Sequence, residues 1–272
     1  MSIIETALQK ANPLGAAGPK TTLREQQRRR PGRGSSTETM AQPRKFQQAT
    51  LDGATMERNC ILPETRDGSA LRAYKILRTR VLQRLATNQW RSLAVTGTDS
   101  AQGKTLTAIN LAITLAQDPN TSVFLVDLDL QRPQVGAYLG MSFSVGLNDY
   151  LAGKAELEQV IYSTGIDRLG VIPSSKGIEN SSEYLAAPRM LELVRALEAE
   201  TPRHVIVYDM PPLLLSDDVL TFVPNVDGVL LVVSEGVTDR RSLEKAKEYL
   251  AEMNLLGVVL NRSAERNDSS YY

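Results

Sequence analysis

Ser92-Leu-Ala-Val-Thr-Gly-Thr-Asp-Ser-Ala-Gln-Gly-Lys-Thr105 is the stretch on which the fold turns. Ser92 to Thr96 is a β-rich apolar run, a glycine turn follows, and a helix is expected from about Lys104 to Ala116. Leu106, Ile109, Leu111, Ala112 and Leu115 supply that helix with its apolar positions. In a strand, loop and helix arranged this way, the backbone N–H groups of the loop converge ahead of the helix N-terminus and form a concave anion site. Gly103 lets the backbone come close to a phosphate, Lys104 reaches β- and γ-phosphates, and the Thr105 hydroxyl suits Mg²⁺. The expected cradle is therefore Thr98, Asp99, Ser100, Ala101, Gln102, Gly103, Lys104, Thr105 and Leu106, taking ATP with Mg²⁺. One irregularity stands out: Thr98 occupies the place of the pattern's first glycine, with Gly97 one residue earlier.

Two further apolar runs end in acids. Val123 to Val126 leads into Asp127-Leu-Asp129, and Val205 to Tyr208 leads into Asp209-Met-Pro-Pro212. In an open parallel sheet, ligands bind beyond the C-terminal ends of the strands, so these carboxylates and the glycine loop are expected at one edge. There a carboxylate holds Mg²⁺ directly or through water. Thr105, Asp127 and Asp209 are the expected metal residues.

Further apolar runs occur at Leu169 to Ile172, Val229 to Val233 and Gly257 to Leu260, with helical stretches such as Pro188 to Glu198 and Arg241 to Met253 between them. Continuous rather than alternating apolar strands imply helices on both faces. Strands alternating with helices imply a doubly wound, mostly parallel α/β sheet with the topology of a P-loop nucleotide-binding domain. Its expected span is 69–262, opened by a helix over Ser69 to Leu85 with Leu71, Tyr74, Leu77, Val81, Leu82 and Leu85 on one stripe. Residues 1–68, rich in Pro, Gly, Ser, Thr, Gln and Arg, read as a largely disordered tail with a short amphipathic helix from Ser2 to about Ala11. Residues 263–272 read as a flexible end.

The 272 residues carry no net charge, yet the first fifty hold nine Lys/Arg against three acids, a balance of +6 that leaves −6 on the rest. A basic tail of this kind can lean on anionic lipid, nucleic acid or an acidic partner, or be a solvated disordered arm, and a nucleic-acid partner is not expected here. No apolar run reaches the length of a membrane span, and the N-terminus does not read as a signal peptide. A single cysteine, Cys60, rules out an internal disulfide and fits a reducing compartment. No Cys/His spacing suggests zinc. His204, Met141, Met190, Met253 and Trp90 read as packing residues.

In these motifs the chain resembles the cytoplasmic bacterial tyrosine kinases (BY-kinases) that accompany polysaccharide co-polymerases, in particular the exosortase-associated autokinase branch. The resemblance covers about residues 70–262. It rests on the phosphate loop, on Asp127-Leu-Asp-Leu-Gln-Arg-Pro133 and on Asp209-Met-Pro-Pro-Leu-Leu214 followed by Asp218. It also rests on Gly146-Leu-Asn-Asp-Tyr-Leu-Ala-Gly153, Asn180-Ser-Ser-Glu-Tyr-Leu185, Gly257-Val-Val-Leu-Asn261 and the opening Ser2-Ile-Ile-Glu-Thr-Ala-Leu8. It implies ATP-dependent tyrosine autophosphorylation tied to exopolysaccharide or capsule synthesis, with Lys104, Asp127 and Asp129 catalytic. Asp127 would accept the proton of the incoming hydroxyl, Asp129 would assist, and Asn261 would lie near the base. A phenol with a pKa of about 10 is protonated at neutral pH, so a positioned carboxylate is physically sensible. The implied acceptors are Tyr271 and Tyr272, presented in trans by a homo-oligomer. The implied partner is the cytoplasmic segment of a membrane-anchored co-polymerase of the chain-length determinant type, at the inner face of the cytoplasmic membrane. Where the family carries Glu-x-x-Arg-x-x-Arg for self-association, this chain has Arg72-Ala-Tyr-Lys75-Ile-Leu-Arg78, and Gln131 stands where an Arg usually follows the two aspartates. Two competing readings share the fold: a ParA/MinD-like ATPase switch, which would carry a second lysine early in the loop where Asp99 stands, and an ATP-binding assembly partner of the co-polymerase.

Overall fold

Alternate residues of each central strand pack on opposite faces. In β6 (His204–Asp209), Val205 and Val207 join one apolar cluster while Ile206 and Tyr208 join the other. In β7 (Gly228–Ser234), Val229, Leu231 and Val233 face one side, and Leu230 and Val232 the other. Strands buried on both faces need continuous apolar sequence, which is what β2 (Ser92–Gly97) and β3 (Ser122–Asp127) also have. The computed structural model describes residues 46–62, 68–200 and 204–263. With β1 (Gln47–Gln48), β4 (Tyr162–Ser163), β5 (Leu169–Ile172) and β8 (Leu255–Asn261), the strands form one sheet ordered β1-β4-β5-β3-β6-β2-β7-β8. Every pairing is parallel except β4 with β5.

One face is covered by α1 (Gly53–Arg58), α2 (Ser69–Asn88), α3 (Lys104–Ala116) and α4 (Val135–Tyr138). The other is covered by α5 (Leu147–Leu151), α6 (Leu157–Val160), α7 (Ser181–Ala186), α8 (Pro188–Ala199), α9 (Asp218–Phe222) and α10 (Arg240–Leu250). The apolar stripe foreseen on α2 is present, with Leu71, Val81 and Leu85 buried. His204 and Met190 are buried, and Trp90 packs against the sheet beside Gly228.

The expected boundary at residue 68 needs correcting. Residues 46–62, assigned to the tail on composition, are an ordered strap against the domain. Phe46 meets Phe124 edge-on at 6.1 Å, and Asp52 caps α1 by accepting from the Ala54 and Thr55 amides. The Asp52 amide donates to the Gly140 carbonyl (3.2 Å), and Asn59 Nδ2 donates to the Tyr138 carbonyl (3.0 Å). Ile61 is fully buried, flanked by a two-way clasp on α3: the Leu62 amide donates to Asn110 Oδ1 (2.8 Å), and Asn110 Nδ2 donates to the Cys60 carbonyl (3.1 Å). The helix expected over Ser2 to Ala11, the basic run Arg28 to Arg33, and the terminal Tyr271 and Tyr272 lie outside the described residues.

Candidate nucleotide and metal site

The loop joining β2 to α3 is held from three directions. Gln102 is buried, and its Nε2 donates to Thr98 Oγ1 (2.6 Å) and to Thr238 Oγ1 beyond β7 (2.8 Å). Gln102 Oε1 accepts from the Asp99 amide (3.1 Å). Asn261, the last residue of β8, donates from Nδ2 to the Gln102 carbonyl (3.0 Å). Gly103 has φ +84, and a Cβ there would stand 2.1 Å from Asn261 Nδ2, so both backbone hand and space demand glycine. Lys104, first residue of α3, is buried with its chain lying against Gly97.

Ser100, Ala101, Gly103, Lys104 and Thr105 form one wall of a cavity of about 280 Å³. Asp129, Gln131, Arg132 and Gln134 from the β3–α4 connection, Tyr138 at the end of α4, and Pro211, Pro212, Leu215 and Ser216 after β6, complete it. A larger cavity of about 530 Å³ lies elsewhere, between the end of α2 and the start of β6, and includes neither the glycine loop nor any acid. The chemistry therefore belongs to the smaller one.

The acids converge as the strand ends required. Asp127 and Asp209 are register partners on β3 and β6, and both are fully buried. Asp127 Oδ2 accepts from the Gln134 and Val135 amides at 3.1 and 3.0 Å. Its Oδ1 and both oxygens of Asp209 have no well-formed hydrogen bond, although the Thr105 hydroxyl lies close enough to Asp209 to stabilise its charge. Burial, with Asp209 next to it, pushes the Asp127 carboxyl well above the ordinary range. Burial likewise pushes Asp209 up to about 7, against the pull of Thr105 and Lys104. Burial also raises Asp129, which the Arg132 amide (3.1 Å) and Lys104 counter.

Three buried carboxylate oxygens without hydrogen bonds are costly unless a cation or proton neutralises them. Beside a phosphate cradle and a threonine hydroxyl, this donor set fits Mg²⁺, which takes one or two carboxylates and fills its octahedron with phosphate oxygens and water.

Each residue expected in the cradle is in the loop or in the first turn of α3. Leu106 is the exception in kind, packing into the core beneath the loop. Asn261 contacts the loop as a brace. Asp129, just after β3, reaches the cavity wall, whereas Asp127, the last residue of β3, is enclosed by the Gln134 and Val135 amides and Asp209. Thr238, Gln134, Tyr138 and Ser216 were not foreseen. Ser216 had a weak local signal in its place after the Pro pair, and Tyr138 and Thr238 had none.

Strand order, glycine loop and paired acids define a P-loop nucleotide-binding domain, and residues 93–271 match the CobQ/CobB/MinD/ParA nucleotide binding domain. Tyrosine-protein kinase YwqD of Bacillus subtilis is 31% identical over 224 residues, covering 81% of this chain and 93% of that protein. Tyrosine-protein kinase CpsD of Streptococcus agalactiae is 31% identical over 176 residues, 64% of this chain and 75% of that one. Among solved structures, the kinase domain of the Escherichia coli tyrosine kinase ETK superposes with a TM-score of 0.67 at 26% identity, covering 82% of this chain and 91% of that chain. The chain belongs to the family of bacterial tyrosine-protein kinases.

Proposed function

We propose that this chain transfers the γ-phosphate of Mg-ATP to tyrosine hydroxyls, its own Tyr271 and Tyr272 in a neighbouring copy among them, as part of the control of exopolysaccharide or capsule synthesis. The observation that carries the reading is the triad of orphaned oxygens on Asp127 and Asp209 set against Lys104 and Thr105. Mg²⁺ would supply charge neutralisation across the β- and γ-phosphates. Thr105 and the two buried aspartates would hold it, Lys104 would clamp the phosphates, and the braced loop would present its amides to them. Most acceleration in phosphoryl transfer comes from such alignment and charge stabilisation. The phenol's proton needs a carboxylate within reach. Asp129 lines the cavity and meets that need directly, while Asp127 does so only if the turn at Gln131–Gln134 shifts.

The chain's working place in this reading is the cytoplasm, at the inner face of the membrane beside the cytoplasmic segment of a polysaccharide co-polymerase. No helix among the described residues is long and apolar enough to cross a membrane. Incubated with ATP and Mg²⁺, the purified chain is expected to become phosphotyrosine-positive, with the label mapping to Tyr271 and Tyr272, while Lys104→Met stays negative. Asp129→Asn and Asp127→Asn, compared in single turnover, separate proton acceptance from metal holding. Phosphate release without any phosphotyrosine would refute the transfer reaction in favour of an ATPase switch.

A further inference from the structure

We propose that the outer ridge of α2 is a docking face for an anionic lipid bilayer. It deepens the membrane-side location given above and rests on that location, not on the kinase chemistry. Over its 20 residues α2 contains no Asp or Glu and five cations, Arg72, Lys75, Arg78, Arg80 and Arg84. Arg78 is turned inward and donates from Nη1 to the Thr114 carbonyl at 3.3 Å. Arg72, Lys75, Arg80 and Arg84 are exposed, and none of the four has an ion pair among the described residues. Four exposed cations in about four turns of helix, with no ion pair among the described residues, are not the evenly mixed surface that solubility alone favours.

Their arrangement narrows the partner. Arg72, Ile76, Arg80 and Arg84 recur every fourth residue, so they form one ridge, roughly 18 Å long at the helical rise. Ile76 is 47% exposed and stands between two guanidinium groups. The apolar stripe of α2 is already spent on the core through Leu71, Val81 and Leu85, so the helix cannot insert and can only lie on a surface. A convex row of guanidinium groups with one aliphatic tip suits a flat array of phosphates over hydrocarbon, whereas a peptide needs a groove. A second copy meeting helix to helix would bring like charge, because α2 carries five cations and no acid. The first fifty residues add +6 to the same chain, a second attraction of the kind that durable peripheral binding needs.

Each cation near an anionic bilayer contributes about 1 kcal/mol, or roughly fivefold in partitioning. The test is co-sedimentation of the full chain, without nucleotide, on phosphatidylcholine vesicles with and without about one third phosphatidylglycerol. The chain is expected to bind the mixed vesicles, to ignore the neutral ones, and to be released by high salt. Arg72→Gln/Arg80→Gln/Arg84→Gln should cut partitioning on the order of 100-fold, and Ile76→Ser a few-fold, with circular dichroism unchanged. Replacing Arg24, Arg28, Arg29, Arg30 and Arg33 with Gln measures the separate share of the N-terminal segment. Partitioning of the triple variant within twofold of the parent would overturn the proposal. So would equal binding to neutral vesicles, or capture only by an acidic protein. Because no ATP is present, loss of kinase activity cannot imitate any of these results.

Discussion

Replacing Asp209 with Asn should make the metal-free, nucleotide-free protein more stable at pH 8, and nearly unchanged at pH 4. In the folded chain burial raises Asp209 to about 7 from an unfolded value near 3.8. A carboxyl raised on folding binds its proton more tightly in the native state. Its contribution is therefore complete below about pH 4, is lost as pH climbs towards 7, and stays lost above. About three units at 1.36 kcal/mol each set an upper limit of about 4 kcal/mol, and sharing of a proton with Asp127 lowers it. Asparagine mimics the neutral acid in shape and cannot ionise, so at pH 8 it escapes this loss. For a chain of this size a gain of that order raises Tm by about 10 °C. The assay is thermal or urea denaturation of parent and variant in chelator at several pH values. The same variant should lose the stabilisation that Mg-ATP gives the parent, since binding to the native state alone raises stability by mass action. If Asp209→Asn is no more stable than the parent at pH 8 in chelator, the Asp209 carboxylate is not penalised by burial as the fold implies, and the metal argument built on it fails.

Gly103→Ala combines a left-handed backbone, costing about 1–2 kcal/mol for any side chain, with displacement of the Asn261 bond to the Gln102 carbonyl, about 1 kcal/mol. Calorimetry should find ADP or ATP bound on the order of 100-fold more weakly, and an affinity within threefold of the parent would count against the brace. Ile61→Ala removes a fully buried side chain from the strap and should cost about 2–5 kcal/mol in urea denaturation. A loss below about 1 kcal/mol would mean that residues 46–62 lie on the domain without being part of its core.

What could be read from sequence follows the range of the interactions involved. β2, β3, β6 and β7 were legible because a strand buried on both faces must be apolar throughout, and their observed ends fall within a residue or two of the apolar runs. β1 and β4, two residues each, carry no period to detect, and α4 to α6 are too short for a helical stripe. The strap escaped notice because its binding depends on Asn110, Tyr138 and Gly140, about 48 to 88 residues further along, rather than on its own composition. The site divides the same way: Lys104, Thr105 and the strand-end acids announce themselves locally, whereas Thr238 lies 136 residues from Gln102 in sequence.

Thr98 joins the two kinds of information. In the usual motif its place is glycine, and by sequence alone threonine there is only an irregularity. In the fold the Thr98 side chain is buried and its hydroxyl takes the amide of Gln102, so a glycine would remove one anchor of the loop. The need for close approach has moved back one residue. A Cβ on Gly97 would meet Gln102 Oε1 at 2.5 Å and the Val232 carbonyl at 3.0 Å. Gly97, Thr98 and Gln102 thus act as one unit in which the missing glycine is supplied by its neighbour and the threonine fastens the glutamine. Reverting Thr98 to the motif's glycine should therefore loosen the loop and weaken nucleotide binding, the opposite of what the pattern alone would suggest.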